Sequence, residues 1–373
     1  MKACRMTVLI FTLCLFALAP SGCAASSIKA PFDSSTNASS GGPNYLQQAA
    51  SGVKALQQWY SPSSGLYAAP TGWWNVANAI TVLTDYERVS GTTDYNFALA
   101  STFTAGQKAH PNFVNSFYDD DGWWALAWID AYDLTGNASY LSMAETIFTT
   151  MTGGWDATTC GGGVWWNTSK KYKNAIPNEL FLAIAAKLAN RTKGSVSASY
   201  LKWAQQEWTW FKSSGMINAQ NLVNDGLTST NPNACTNNGG NAWTYNQGVI
   251  LDGLVELYKA DQDPTLLPQA EAIASAAIAN LTNSSGILIE KSVSGGDAPQ
   301  FKGIFLRSLA ALYAAAPNTQ YKTFAEANAN SILVHDQNAA SQFGALWQGP
   351  FDSADATRQT SALDALIAAA AMQ

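Results

Sequence analysis

Three consecutive carboxylic acids, Asp119, Asp120 and Asp121, stand between Tyr118 and two tryptophans in the segment FYDDDGWW. Neighbouring like charges oppose one another's ionisation, so at least one of these carboxyls is expected to keep a proton near neutral pH. A protonated carboxyl beside an ionised one is what glycoside hydrolysis requires, and flanking aromatic rings offer apolar faces to a sugar. The alternative interpretation is a solvated Asp-rich turn that caps a helix.

Adjacent aspartates also fix a rough distance between the reacting groups. The Cα atoms of Asp119 and Asp120 lie about 3.8 Å apart, and their side chains can place the carboxyls at roughly 5–5.5 Å, the separation found in retaining glycosidases. The wider gap of inverting enzymes is harder to reach from adjacent positions. From spacing alone, other carboxylates near predicted helix starts remain possible partners: Glu179, Asp225, Asp297 and Asp352.

Aromatic, amide and lysine side chains recur at the predicted starts of other helices. Tryptophans supply the walls of a ligand cleft, and Asn, Gln and Lys supply its few placed polar groups. For any single residue, helix capping or core packing is the simpler explanation, but their recurrence favours a binding site. The predicted substrate-binding residues are Trp73, Trp74, Asn78, Tyr118, Asp121, Trp123, Trp124, Trp165, Trp166, Asn178, Glu179, Trp243, Tyr245, Asn246, Gln247, Phe301, Lys302, Trp347 and Gln359.

The elements that must position these residues are helices along nearly the whole chain. Apolar residues recur at i, i+3, i+4 spacing, and every second helical segment is apolar all round, which is typical of a buried helix. This alternation, repeated about every 50 residues, predicts an all-α fold, an (α/α)6 barrel of six helical hairpins. The predicted helices span residues 44–60, 73–90, 94–109, 121–135, 138–152, 175–191, 197–214, 244–260, 264–282, 300–316, 320–337 and 357–372.

The predicted connections differ in length. Those from a buried helix to the next surface helix are short, whereas those from a surface helix to the next buried one are long and rich in Gly, Trp, Asn and Asp. In an alternating barrel all the long connections lie at one end, where binding sites are usually built. The three aspartates lie at that end, at a helix start where the helix macrodipole favours anions.

Composition excludes several classes of function. The 373 residues carry a formal net charge of −6, only 12% are charged, and 14 are tryptophan. Such a chain is unsuited to nucleic acid or to an anionic membrane surface, whereas excess tryptophan favours carbohydrate. Two histidines argue against a Ser-His-Asp triad and a histidine-rich metal site, so we expect neither a metal nor a cofactor.

The N-terminus has the organisation of a secretory signal peptide. A basic start, an apolar run over 6–19 and small residues up to Ala25 predict a signal peptide at 1–25 and a secreted, extracellular protein. A flexible Ser/Pro/Gly-rich arm is predicted at 26–42, and a single catalytic barrel domain at 43–373. We expect a monomer that has no membrane contact after signal cleavage.

Two cysteines remain beyond the signal peptide, Cys160 and Cys235. In an oxidising compartment an even pair predicts a disulfide. Asn-x-Ser/Thr sequons predict surface glycosylation in a secreted eukaryotic protein. They begin at Asn37, Asn137, Asn167, Asn190, Asn280 and Asn283.

Five segments together make the chain resemble a known family. In order they read FYDDDGWWALAWIDAYDLTG, CGGGVWWNTSKKYKNAIPNELFLAIAAKLANRT, WTYNQGVILDGL, FKGIFLRSLAAL and QTSALDAL. The chain is similar to glycoside hydrolase family 76, the endo-α-1,6-mannanases, and most of all to its secreted fungal members. The resemblance implies an (α/α)6 barrel with Asp119 as nucleophile, Asp120 as acid/base and Asp121 in a supporting role.

The resemblance implies a secreted retaining endo-α-1,6-mannosidase that hydrolyses the α-1,6-mannan backbone of yeast or fungal walls through a covalent mannosyl-enzyme. One alternative is a wall transglycosidase that uses the same aspartates, and another is a mannan-binding protein without turnover. Transglycosidases of this kind are typically GPI-anchored. The chain ends inside its last predicted helix, with no polar spacer and apolar tail, which favours the hydrolase.

Overall fold

The computed structural model describes residues 43–228 and 235–373. The predicted signal peptide, the predicted arm and Asn37 lie outside these residues. Within them the chain forms twelve α-helices and one two-stranded antiparallel hairpin, in which Tyr60 faces Tyr67. The elements are α1 Tyr45–Leu56, β1 Tyr60–Ser61, β2 Leu66–Tyr67, α2 Trp73–Ser90, α3 Asn96–Ala105, α4 Tyr118–Thr135, α5 Ala138–Thr152, α6 Ala175–Arg191, α7 Gly194–Ser214, α8 Thr244–Asp261, α9 Leu266–Asn280, α10 Ala298–Ala315, α11 Thr319–His335 and α12 Ala356–Ala371.

The even-numbered helices form a closed inner ring. Each packs on the next, α2 on α4 and so on to α12, and α12 returns to α2. Helices α1, α5, α7, α9 and α11 pack outside this ring. Every residue of α6 from Ala175 to Ala189 is buried, whereas the outer α7 buries only one face. The predicted (α/α)6 barrel is therefore confirmed, because the all-round apolar helices are the ones that line its centre.

Several helix boundaries differ from the sequence prediction. Helix α4 begins at Tyr118 rather than at residue 121, so Asp119, Asp120 and Asp121 occupy its first turn. Phe117 is extended and pairs with Asn167, which ends the preceding loop and lets the helix start at once. Helix α1 is shorter than predicted because the chain turns at its end into the β1–β2 hairpin.

The long and short connections lie as the sequence predicts. The links 91–95, 136–137, 192–193, 262–265 and 316–318 are short, and Gly91 and Gly136 end their helices in the left-handed conformation that only glycine adopts freely. The long links are 57–72, 106–117, 153–174, 215–243, 281–297 and 336–355.

The rim at the long-loop end is tied together by short antiparallel pairings and one disulfide. Asn167 pairs with Phe117, Asn174 with Gly226, and Leu227 with Asn237. The predicted disulfide is present between Cys160 and Cys235, whose Cα atoms are 5.2 Å apart. The loop that follows α5 is thus connected both to the start of α4 and to the loop that follows α7.

Charged side chains link neighbouring inner helices. Lys187 of α6 lies 3.3 Å from Asp130 of α4 and 3.4 Å from Asp252 of α8. Arg307 of α10 lies 3.2 Å from Asp364 of α12. Ion pairs thus join neighbours around the ring. No helix within the described ranges is long and apolar enough to cross a membrane.

Candidate active site

Each of the first two aspartates of α4 accepts a hydrogen bond from a different loop. Both residues are half-buried. The indole N–H of Trp166 donates to Oδ2 of Asp119 over 3.0 Å, and Nδ2 of Asn115 donates to Oδ2 of Asp120 over 2.7 Å. Oδ1 of Asp119 is buried and has no hydrogen-bond partner among the described residues. The two neighbouring carboxyls are therefore chemically distinct.

Burial raises the pKa of both carboxyls. The pKa of Asp119 rises to about 8, through desolvation and then the charge of Asp120, and the Trp166 N–H opposes the rise. The pKa of Asp120 rises to about 6 through desolvation, with Asn115 lowering it and Asp297 raising it. Between these values the pair holds one proton, in agreement with the sequence prediction. Asp119 has the higher pKa of the two, whereas the roles implied by the resemblance require the proton on Asp120.

Asp121 is fully buried and anchors the loop before α4. Its Oδ1 accepts the backbone N–H of Asn115 at 2.8 Å, and burial raises its pKa to about 7. Asn115 was not among the predicted site residues. Its Oδ1 accepts the backbone N–H of Phe117 at 2.6 Å, an Asx turn of the kind that Asn favours two residues before a chain reversal or helix start. That local preference is the signal by which the sequence could have indicated it.

Aromatic rings from four inner helices form a continuous wall beside the aspartates. Tyr245 of α8 stacks on Phe301 of α10 with ring centroids 4.0 Å apart, and Trp74 of α2 stacks on Trp123 of α4 at 5.5 Å. The ring centroids of Trp123 and Tyr245 are 6.4 Å apart. Those of Trp74 and Phe301 are 6.1 Å apart, so the two stacked pairs contact each other. Trp166 is 37% exposed and presents an open ring face at the same site.

Other predicted carboxylates surround this wall. Asp297 accepts the indole N–H of Trp74 at 2.7 Å, and Asp225 accepts the hydroxyl of Tyr172 at 2.5 Å. The charges of Asp225, Asp119 and Glu179, after desolvation, raise the pKa of Tyr245. The structure thus brings Asp225, Glu179 and Asp297 to the same end as the catalytic candidates. Asp352 instead accepts the backbone N–H of Ala345.

Glu179 and Asn246, two of the predicted contact residues, have buried side-chain polar atoms without a hydrogen-bond partner in the described part of the chain. Both carboxyl oxygens of Glu179 lack a hydrogen-bond partner, and desolvation raises the pKa of this carboxyl well above its usual range. Neither side-chain atom of Asn246 has a partner. Both residues remain candidate substrate contacts, since a ligand or water is needed to satisfy such groups.

Several predicted contact residues are instead occupied in holding loops, which corrects the predicted site. The buried amides of Asn178 and Gln247 each bond both the N–H and the C=O of one loop residue, Val164 and Val223 respectively. Oε1 of Gln359 accepts the N–H of Phe343, and its Nε2 donates to the carbonyls of Gly52 in α1 and Ser341. Both N–H donors of each amide are used and all three side chains are fully buried, so these groups hold loops rather than face a sugar.

Four further predicted contacts belong to the interior. Asn78 accepts from Arg307 at 2.7 Å, and Lys302 donates to the carbonyl of Ala345 at 2.8 Å. The Nζ of Lys302 lies 4.3 Å from the ring centre of Trp347, which is fully buried. Trp124 is also fully buried. These side chains stabilise the barrel and do not line the cleft.

The remaining aromatic candidates lie at or just below the rim. Trp73 packs 4.6 Å from Trp124, and Trp243 lies 5.6 Å from Phe301. Tyr118 is buried, and the Nζ of Lys173 lies 4.7 Å from the ring centre of Trp165. Of these, Trp73 and Trp243 are half-buried.

Comparison with known proteins identifies the chain's family. Residues 44–373 match the model described as "Glycosyl hydrolase family 76". The chain belongs to this family. Family 76 membership covers the whole barrel, including α4 and its three aspartates.

Among curated relatives, mannan endo-1,6-alpha-mannosidase DFG5 of Candida albicans is 28% identical over 288 residues, which cover 70% of this chain and 62% of the relative. Mannan endo-1,6-alpha-mannosidase DCW1 of Saccharomyces cerevisiae is 25% identical over 341 residues, which cover 83% of this chain and 74% of the relative. The family 76 chain thus spans about three fifths of the length of the Candida albicans relative.

Solved structures share the fold. An inactive variant of the alpha-1,6-mannanase GH76A of Salegentibacter sp. HEL1_6, in complex with alpha-1,6-mannotriose, gives a TM-score of 0.80 at 23% identity and covers 88% of this chain and 100% of that one. Two consecutive aspartates of that enzyme are replaced by asparagine. Dfg5 from Chaetomium thermophilum, in complex with glucosamine, gives a TM-score of 0.75 at 19% identity. The match covers 88% of this chain and 90% of that one.

Five of the six sequons of the family 76 chain lie within the described residues. Asn137, Asn190 and Asn280 are exposed, whereas Asn167 and Asn283 are half-buried. The side-chain oxygens of Asn167 and Asn283 accept backbone N–H groups within tight turns. Their glycosylation stays a prediction.

Proposed function

We propose that this chain is a secreted, retaining endo-α-1,6-mannosidase that hydrolyses the α-1,6-mannan backbone of yeast or fungal cell walls. The proposal rests chiefly on the Asp119–Asp120 pair, which shares one proton beside an aromatic wall at the long-loop end of a family 76 barrel. Its curated relatives are named mannan endo-1,6-alpha-mannosidases, and replacement of two consecutive aspartates gives an inactive variant of the Salegentibacter mannanase.

The proposed reaction has two steps. The carboxylate of Asp119 attacks the anomeric carbon, the glycosidic C–O bond breaks, and the leaving oxygen takes the proton of Asp120. Asp120, now ionised, then removes a proton from water, whose oxygen attacks the same carbon and releases Asp119. The configuration at the anomeric carbon is retained because it is inverted twice.

The proton must lie on Asp120 for the first step, although Asp119 has the higher pKa in the free protein. Positive charge that develops at the anomeric carbon stabilises the ionised form of the adjacent nucleophile. The leaving oxygen gives the proton of Asp120 an acceptor. A bound mannan segment therefore favours the reactive arrangement, and the wall of Trp74, Trp123, Tyr245 and Phe301 holds the sugars in place.

Secretion follows from the predicted signal peptide and accords with the Cys160–Cys235 disulfide, which is typical of oxidising compartments. In that setting the substrate is outside the cell. No observation favours a second function over hydrolysis, and the alternatives are outcomes of the test below.

The test is incubation of the purified protein with linear α-1,6-mannan, with reducing ends and product lengths measured over time. We expect new reducing ends and shorter oligosaccharides, lost in Asp119→Asn and Asp120→Asn. Products longer than the substrate, without a rise in reducing ends, would identify a transglycosidase. Binding without any change in the mannan would identify a binding protein and overturn the proposal.

A further inference from the structure

We infer that Trp166 and Asn115 are positioning residues that decide which of the two neighbouring aspartates carries the shared proton. The inference rests on the proposed function, since it concerns the same two carboxyls. It goes further by assigning to each carboxyl a side-chain hydrogen-bond donor that its catalytic role does not require. The two donors come from loops on either side of α4, at 115 and at 166, and each bonds one aspartate only.

The indole of Trp166 is held at Asp119 by the backbone. The carbonyl of Trp166 accepts the N–H of Tyr118 at 3.0 Å, and its N–H donates to the carbonyl of Tyr172 at 2.8 Å. The side chain therefore starts from a fixed point beside the first turn of α4. An N–H donor stabilises the ionised carboxylate, so Trp166 favours the charged form of Asp119. Because its ring is 37% exposed, a sugar that stacks on it also shields the N–H···O bond from water and strengthens it.

The amide of Asn115 has one possible orientation. A backbone N–H can only donate, so the Phe117 N–H fixes Oδ1 of Asn115 as the acceptor and directs Nδ2 toward Asp120. The backbone N–H of Asn115 is in turn bound by the buried Asp121. Oδ2 of Asp120 is thereby occupied by a donor. The transferable proton is left to Oδ1 of Asp120, so Asn115 selects the acidic oxygen.

The other titratable groups that face the pair come from three elements. Asp121 lies on α4 itself, Asp297 immediately precedes α10, and Tyr245 lies on α8. Around Tyr245 the further carboxyls are Asp225, Glu179 and Glu290. None of these groups is altered by a substitution of Trp166 or Asn115, so a change in the pH profile can be assigned to the lost donor.

The test uses two variants that remove only a donor. Trp166→Phe keeps an aromatic ring without the N–H, and Asn115→Ser keeps a short acceptor for the Phe117 N–H but does not reach Asp120. The matched controls are Trp208→Phe on α7 and Asn137→Ser at the start of α5. Asn137 lies at the other end of α4, about 25 Å away along the helix axis. Thermal unfolding checks that each variant folds, and Asn115→Asp serves as a second substitution at that site.

The measurement is kcat/KM against pH on two substrates. Linear α-1,6-mannan needs both an ionised nucleophile and a protonated acid, whereas a 2,4-dinitrophenyl α-1,6-mannobioside needs little proton donation. We expect Trp166→Phe to move the profile to higher pH by about 1 unit on both substrates, because a lost hydrogen bond to a charged group costs about one pKa unit or more. Asn115→Ser should move the profile on mannan alone.

The outcomes separate this inference from the proposed function. Unshifted profiles in Trp166→Phe and Asn115→Ser, as in the controls, would overturn the inference. The reverse pattern, with Asn115→Ser acting on both substrates, would support it and exchange the roles of Asp119 and Asp120. If the wild type leaves mannan intact, the proposed function fails, and carboxyl ¹³C NMR titration of Asp119 and Asp120 in the same variants still tests the inference without activity.

Discussion

The rings of Tyr245 and Phe301 stack with their centroids 4.0 Å apart and their planes within 9° of parallel. The pair joins the first turn of α8 to that of α10, and through Trp74 and Trp123 it continues to α2 and α4. The wall proposed to bind the sugar is therefore made of helix starts rather than of loops. On that proposal it positions a sugar chain with little loss of conformational entropy on binding.

Phe301→Ala should weaken mannan binding by removing one member of this stack. Loss of an aromatic contact costs about 1 kcal/mol beyond the lost contact area, so KM should rise by about tenfold, with a smaller fall in kcat. Steady-state kinetics on linear α-1,6-mannan measures both values. The comparison variant Tyr245→Phe keeps the stack and should raise KM less. Equal KM values in Phe301→Ala and the wild type would place the sugar elsewhere.

The barrel could be predicted from the sequence because burial leaves a pattern on whole helices, as the mostly apolar and wholly buried segment 175–189 shows. The roles of single amide side chains could not be predicted in the same way. Asn178 and Gln247 stand at helix starts, where a sugar-binding amide would also stand, and only the fold reveals that Val164 and Val223 use their bonding groups. Asn115 was missed because its Asx turn precedes a helix that begins at Tyr118, three residues earlier than predicted.

Asp121→Asn should make the protein more stable at alkaline pH. Burial raises the pKa of Asp121 in the folded protein to about 7, above its unfolded value near 4. The contribution of this carboxyl to the stability of the fold is therefore complete below about pH 4 and is lost as the pH rises toward 7. Asparagine keeps the acceptor for the Asn115 N–H without the charge. We expect similar unfolding free energies for the variant and the wild type at pH 4, and an advantage of about 2 kcal/mol or more for the variant at pH 8.

Urea unfolding at both pH values measures this difference, with Asp94→Asn at an exposed position as the control. An advantage of equal size at both pH values would show that Asp121 does not titrate over this range.

Lys187→Met should destabilise the barrel strongly. Its ammonium group lies between Asp130 and Asp252, and the side chains of all three are at most 15% exposed. Removing the ammonium group leaves two buried carboxylates without their counter-ion, which lowers the free energy of unfolding by about 3–5 kcal/mol. Chemical unfolding gives the value. Lys259→Met is the matched control, since Lys259 is 53% exposed and its pair with Glu256 is worth under about 1 kcal/mol. Similar losses in both variants would argue against a structural role for the inner ion pairs.

Replacing both Cys160 and Cys235 by serine should lower stability while leaving the catalytic residues in place. The bridge closes a segment with a sequence separation of 75, and its loss should cost about 2–5 kcal/mol. A lower midpoint of thermal unfolding, with mannan cleavage kept at 25 °C, is the expected result. Thiol titration of the unfolded, unreduced wild type should find no free thiol at these positions, and two free thiols would contradict the bridge.

Azide rescue should distinguish the roles of Asp119 and Asp120. Asp120→Asn lacks the proton donor and the later base, but it keeps the nucleophile, so cleavage of a mannoside with a very good leaving group should survive. Azide then attacks the mannosyl-enzyme and gives a product of retained configuration. Asp119→Asn cannot form that intermediate. Azide can only attack the substrate directly there, so any rescued product should have inverted configuration.

NMR of the anomeric proton of each mannosyl azide reads the outcome. The measurement is informative because Asp119 has the higher pKa of the free pair, whereas the reaction needs the proton on Asp120. A retained product from Asp119→Asn and an inverted one from Asp120→Asn would exchange the two roles, and the higher pKa of Asp119 would then mark it as the acid. Near-wild-type cleavage of mannan by both variants would move the reaction to other carboxyls at the same end of the barrel, with Glu179 and Asp225 the first to substitute.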